Sequence, residues 1–154
     1  MIHLKEVEEF LNSFIKKDDC IVFACSGGPD SMCLLELLWN LKQKKSLKLI
    51  CAHVNHKQRK ESEEEWAFVH QICNERGIIF EGLEINSYSK NNFHDEAHKK
   101  RKIFYEQLIK KYQAKYLMTG HHGDDLLETI LMRLTRGSSL SGYKGFKKIQ
   151  SEKN

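Results

Sequence analysis

The run Cys20-Ile21-Val22-Phe23-Ala24-Cys25-Ser26-Gly27-Gly28-Pro29-Asp30-Ser31 decides how this chain reads. Its first half is apolar and partly β-branched, which suits a buried strand. The segment that follows, Ser31–Leu41, is apolar nearly all round (Met32, Cys33, Leu34, Leu35, Leu37, Leu38, Trp39, Leu41) and predicts a deeply buried helix. A Gly-rich turn between a strand and a helix N-terminus aims backbone N–H groups and the positive helix end at one spot, and that spot suits phosphate. Gly27 and Gly28 allow a close approach that a side chain would block, and Ser26 and Ser31 add hydroxyl donors. Pro29, the only proline, fixes φ and has no N–H to give. No Gly-Lys-Ser/Thr follows and there is no G-x-G-x-x-G, so this is neither a Walker A loop nor a dinucleotide fingerprint. Without that lysine the loop suits a departing pyrophosphate better than transfer of a γ-phosphate. Asp30 beside it fits Mg²⁺, held directly or through water. The plainer alternative is a helix N-cap turn with Asp30 or Ser31 as the cap.

Outward from this loop, three more apolar runs read as strands: Leu47–Val54, Ile78–Ile85 and Ala114–Thr119. Helical patterns cover roughly Leu4–Ile15, Glu61–Arg76, Asp95–Tyr112 and Asp124–Arg136. Strands alternating with helices of this length predict an α/β fold, a doubly wound and mostly parallel sheet covered on both faces. Ser62 with Glu65 reads as a capping box, and Gly77 stands where a helix C-cap belongs. No fifth strand and no second domain is visible after Arg136.

At 154 residues the chain fits one domain, and its 30% charged and 40% apolar residues argue against disorder. No run approaches the roughly twenty apolar residues of a membrane span. The first residues lack the basic region and apolar segment of a secretory signal, so the expectation is a cytoplasmic protein without a membrane partner. The five cysteines (20, 25, 33, 51, 73) form no C-x-x-C and read as small buried hydrophobes. Six Lys or Arg residues from Arg133 onward stand against one acid, Glu152, a net of +5 within a total of +4. Such a segment is either a solvated tail or a phosphate contact.

Three further stretches hold candidate site residues. His53-Val54-Asn55-His56 ends the second strand, where His53 and His56 either contact a nucleotide or serve as backbone-bonded structural histidines. Glu96 and Arg101 lie in the fourth helix, with Lys99, Lys100 and Lys102 as surface or RNA contacts. Gly120-His121-His122-Gly123-Asp124-Asp125 follows the fourth strand, where α/β sheets bind ligands. A helical wheel at 100° per residue puts Leu126, Leu127, Ile130, Leu131 and Leu134 on one face. Asp125, Glu128, Thr129, Met132 and Arg136 fall within an arc of about 100° opposite. The two carboxylates could hold the ammonium end of a lysine or Mg²⁺; a solvated face favoured by the helix dipole is the alternative. His121 and His122 have no Cys or acid at metal-ligand spacing to complete a zinc site.

Taken together, Ser26–Ser31 resembles the PP-loop of the N-type ATP pyrophosphatases, which cleave ATP to AMP and pyrophosphate. With His53–His56 and Arg59, Glu96–Arg101, Gly120–Thr129, Leu131–Leu134 and Arg136-Gly137, the chain resembles the N-terminal catalytic domain of the tRNA(Ile)-lysidine synthetase family. The resemblance runs from about residue 20 to 146. It implies an adenine-nucleotide α-hydrolase-like, Rossmann-like fold and a ligase. In that reaction ATP adenylates the C2 oxygen of a wobble cytidine in tRNA(Ile), and the ε-amine of L-lysine then displaces AMP. ATP and Mg²⁺ are the implied cofactors. Ser26, Gly27, Gly28, Pro29, Asp30, Ser31, His53, Asn55, His56, Gly120 and His121 are the implied nucleotide contacts. Glu96, Asp125, Glu128 and Arg136 are the implied substrate contacts; Asp30, Arg101, Asp125 and Glu128 carry the chemistry. Members of this family continue further, so the expected division is a PP-loop domain over 1–146, cut short at its C-terminal end, with a polar tail over 147–154. Ser139 and Tyr143 stand where a glycine and a leucine are usual in the family. A PP-loop tRNA thiolase is the nearest rival, but it would need sulfur-carrying cysteines. A non-catalytic ATP-binding module is the rival of another class.

Overall fold

The computed structural model describes residues 4–55, 61–85, 93–120, 130–134 and 147–149. In chain order these form α1 (Leu4–Phe14), β1 (Cys20–Ala24), α2 (Pro29–Lys45), β2 (Lys48–Asn55), α3 (Glu61–Arg76), β3 (Ile79–Glu84), α4 (Phe93–Tyr112), β4 (Tyr116–Gly120), β5 (Ile130–Leu134) and β6 (Lys147–Ile149). One sheet contains every strand, in the order β3-β2-β1-β4-β5-β6. The first four run parallel, and β5 and β6 extend the sheet antiparallel beyond β4.

Alternation along the parallel strands builds two cores, because successive side chains point to opposite faces. Ile21, Phe23, Leu49, Cys51 and Met118 face one way and pack with Leu11 of α1 and Ile15 just after it, the leucines of α2, and Val69 and Cys73 of α3. Val22, Ile50, Ala52 and Leu117 face the other way, against Phe104, Leu108 and Ile109 of α4. Strands buried on both faces need near-continuous apolar runs, which is what β1 and β2 supply. Leu34, Leu35, Leu37, Leu38 and Leu41 of α2 are all buried, as its unbroken apolar pattern requires. Gly77 closes α3 with φ +68°, and the N–H of Ile78 reaches back to the Cys73 carbonyl at 2.9 Å.

The chain first moves outward, β1 to β2 to β3, with α2 and α3 on one face. It then crosses back under the other face through α4 to place β4 on the far side of β1. The direction of winding therefore reverses between β1 and β4, the switch point at whose carboxyl strand ends open α/β sheets bind their ligands.

Several expectations need correction. The helix expected over Asp124–Arg136 is not continuous, because Ile130–Leu134 forms β5, and a fifth and a sixth strand exist. An apolar run of five residues fits either period, and here the open edge of β4 supplies backbone partners, pairing Met118 with Met132 and Gly120 with Ile130. Lys147–Ile149, expected in the polar tail, pairs with β5 in the same way. The capping box is not formed as read, since α3 already includes Glu61 and holds Ser62 buried within its first turn. Glu61, Glu63 and Glu64 instead place acidic charge where the helix dipole favours it.

Candidate nucleotide site

The loop leaves β1 at Ala24 and enters α2 at Pro29. The Cys25 N–H still bonds to the Ala52 carbonyl at 2.9 Å, so the loop springs from fixed sheet geometry. Ser31 organises the turn from below: its Oγ accepts from the N–H groups of Ser26 and Gly27, both at 3.1 Å, and donates to the Gly28 carbonyl at 3.1 Å. The Ser26 hydroxyl accepts from the Gly28 N–H at 3.3 Å. Gly27 has φ +95°, a conformation that strains any residue with a Cβ. A Cβ there would also sit 3.4 Å from Val69 Cγ2 and 3.5 Å from Glu65 Cβ, so the back of the loop rests on α3.

Gly28 is the N-cap of α2, and no side chain caps the helix end. A cap residue with an oxygen would satisfy the orphan N–H donors of the first turn; a glycine leaves them for an outside acceptor. That is the chemistry of an anion seat, and the loop residues fit the phosphate end of a nucleotide. Ser26 is exposed and Ser31 is buried, so the turn presents one hydroxyl outward and uses the other internally. Pro29 and Asp30 form the first turn of α2, directly behind the N-cap.

His53 lies level with Cys25, one step beyond the Ala24–Ala52 pair. It is 2% exposed, and its Nδ1–H donates to the Cys25 carbonyl at 2.7 Å. Because that oxygen can only accept, the proton sits on Nδ1. The ring packs against Trp66 and Phe80, with centroids 5.6 and 6.0 Å away. Burial lowers the His53 pKa, opposed by the Cys25 carbonyl and by Glu65. Asn55, also buried, closes β2 and donates to Glu63 of α3 at 3.2 Å. On the other side of β1, continuing the Phe23–Met118 pair by two residues brings Gly120 level with Cys25, so the end of β4 meets the loop. Glu96 and Arg101 are half-buried on α4, on the opposite face of the sheet from α2 and α3. His56, His121, Asp125, Glu128 and Arg136 lie outside the described residues. The wheel that grouped Asp125, Glu128 and Arg136 assumed one helix to Arg136, which β5 interrupts.

Several neighbours of the loop went unread in the sequence. Glu65 and Val69 support Gly27, Glu63 holds Asn55, and Trp66 covers the sheet beside His53. Their spacing of three and four along α3 was the available signal, since that helix starts soon after β2 ends. All five cysteines are free; Cys25, Cys51 and Cys73 are buried together beneath the loop, as small hydrophobes would be. A cavity of about 470 Å³ between the end of β3 and α4 is lined by Leu83, Ile85, Ile103 and Phe104 among others, and no loop residue reaches it.

A parallel sheet, a switch point beside β1 and an uncapped Gly-rich helix end define an α/β protein that binds nucleotide phosphates. The PP-loop domain model matches residues 2–154, and the chain belongs to that family, whose ligand is ATP. The tRNA(Ile)-lysidine synthase of Bacillus cereus is 43% identical over 150 residues, 92% of this chain and 32% of the relative. That of Geobacillus kaustophilus is 39% identical over the same shares, and that of Bacillus subtilis is 38% identical over 96% of this chain and 33% of the relative. The chain therefore spans about a third of the length of these relatives. Among solved structures, the U34-tRNA thiolase NcsA from Methanococcus maripaludis matches with a TM-score of 0.60 and 16% identity, over 74% of this chain and 44% of that one. At that identity the likeness is one of fold.

Proposed function

We propose that this chain is the nucleotide-binding, catalytic part of a tRNA(Ile)-lysidine synthase. The observation that carries the reading is its identity to synthases of that name, which extends over nine-tenths of the chain. The reaction is ligation of L-lysine to the C2 position of the wobble cytidine of tRNA(Ile), with AMP and pyrophosphate released. A carbonyl oxygen is a poor leaving group, and attaching AMP makes it a good one. The chain's own contribution is to seat the pyrophosphate end of ATP against the Gly27–Gly28 turn, on the uncapped first turn of α2, with Ser26 and Ser31 holding the turn from within. Asp30 would hold Mg²⁺, and the ion would supply neutralisation of the charge on the leaving pyrophosphate. Asn55, His56, Gly120 and His121 line the nucleotide, and His53 stands behind the loop. Asp125 and Glu128 take the ammonium group of lysine through charge-assisted hydrogen bonds. Glu96, Arg101 and Arg136 complete the substrate contacts.

The test incubates the protein with ATP, Mg²⁺, labelled L-lysine and tRNA(Ile) carrying a wobble cytidine. The expected result is one AMP and one pyrophosphate per lysine attached; without the cytidine neither is released, and without lysine AMP is withheld while pyrophosphate stops at one per adenylated tRNA. Glu128→Gln should raise the lysine requirement and leave the ATP requirement nearly unchanged. AMP release that ignores lysine, or sulfur entering the tRNA, would overturn the reading.

A further inference from the structure

We infer that His53 is a positioning residue of the PP-loop: through its Nδ1–H bond to the Cys25 carbonyl it sets the orientation of the peptides that seat the pyrophosphate. The inference rests on the reading of the loop as an ATP site. Cys25 is the last residue before Ser26, and its carbonyl belongs to the peptide whose N–H is that of Ser26. That N–H bonds to Ser31 Oγ at 3.1 Å. One peptide unit is therefore pinned from both ends, by His53 at its oxygen and by Ser31 at its nitrogen. The next N–H, that of Gly27, goes to the same Ser31 oxygen. A rotation of the first peptide would carry the Gly27 turn with it.

The donor itself is held in place. Trp66 meets the His53 ring edge-on, Phe80 lies across it, and Trp66 and Phe80 pack on each other with centroids 5.3 Å apart. His70 stacks on the outer side of Phe80 at 4.4 Å. The ring can neither rotate nor withdraw without disturbing α3 and β3 together. Burial disfavours the charged imidazolium, and the ring supplies a hydrogen bond in the right place beneath an anion seat. This explains why a histidine at the end of β2, two residues from its carboxyl end, bears on the loop without lining it.

Two substitutions separate the hydrogen bond from the packing. His53→Asn keeps a donor near the Nδ1 position and discards the ring; His53→Phe keeps the ring and discards the donor. Both are made in the full chain and titrated calorimetrically with ATP–Mg²⁺ and with inorganic pyrophosphate, and unfolding is followed without ligand. The Asn variant should bind pyrophosphate within about threefold of the parent, at a lower melting temperature, whereas the Phe variant should lose about tenfold or more. If the Phe variant does not fold, His53→Gln takes its place, since its amide reaches past the Nδ1 position, and the same loss is expected. Parent-like pyrophosphate binding by the Phe or Gln variant, or an equal loss in Asn and Phe, would overturn the positioning role. A parent chain that binds neither ligand would instead overturn the ATP site itself.

Discussion

At the scale of single residues, the loop motif was readable because its demands are local. Two glycines and a proline between an apolar strand and an apolar helix admit few backbone paths, and the observed Gly27 φ of +95° is one that glycine alone takes without strain. For His53 a backbone-bonded structural role was one of the two readings open in the sequence, but the carbonyl that takes the bond was not readable, because it lies 28 residues away beside the neighbouring strand. The burial of His53 has a pH consequence. The groups facing the ring are the Cys25 carbonyl just beyond β1, Glu65 and Trp66 from α3 and Phe80 from β3, and desolvation outweighs the two that favour charge. The folded pKa lies below the ordinary 6.5, so between the two values the unfolded chain binds more protons. The stabilisation is complete above pH 6.5 and is lost as pH falls through the folded value. Glu81, held below its ordinary 4.5 because its bonds to Lys111 and Tyr112 outweigh its own burial, acts in a lower window. Urea midpoints at pH 7.5 and 5.5 should therefore fall further for the parent chain than for His53→Asn. Equal falls would mean that His53 takes up its proton without cost.

At the scale of elements, the four parallel strands and the helices between them appear within a few residues of where periodicity put them. The helices are long enough for their period to be unambiguous, and β-branched apolar character with flanking turn residues marks the strands. Ile130–Leu134 is the instructive exception: its five residues suit both a helix face and a strand, and only the unpaired edge of β4 decides between them. No local signal contains that edge. The packing of α3 on β3 makes a sharper demand. Gly82 sits in the middle of β3, and a Cβ built there would fall 2.1 Å from Cη2 of Trp66 and 2.7 Å from its Cζ2 and Cζ3. Gly82→Ala must push the indole away from both His53 and Phe80, an overpacking cost of about 1–3 kcal/mol. Chemical denaturation measures it directly. An unchanged midpoint would show that the helix slides aside freely.

At the scale of the whole molecule, charge is sorted along the strand direction. The first turn of α3, toward the loop, carries Glu61, Glu63 and Glu64. The last turns of α2, α3 and α4, at the opposite pole, carry Lys42, Lys44, Lys45, Arg76, Lys110 and Lys111. Helix dipoles favour this arrangement, and the basic run Lys99-Lys100-Arg101-Lys102 in the first half of α4 is the exception to it. Attraction for tRNA falls to the basic residues of the sequence, Lys57, Arg59, Lys60, Lys99, Lys100, Lys102 and those from Arg133 onward. Contacts of that kind recognise phosphate and not sequence. The 154-residue chain should bind cognate and non-cognate tRNA alike, and titrations at two salt concentrations should show the affinity of both falling steeply. Cognate-selective binding that survives high salt would place recognition within these residues. The indole wedged over Gly82 adds a practical consequence. Only two tryptophans are present, and Trp39 is engaged at a distance by Arg76, stacked 4.3 Å over its ring. Trp66 touches the histidine that braces the loop, so its fluorescence should report the filling of the nucleotide seat without any label. In a Trp39→Phe background, emission should shift as ATP is added and not as adenosine is added, which turns a packing contact into an optical gauge of occupancy.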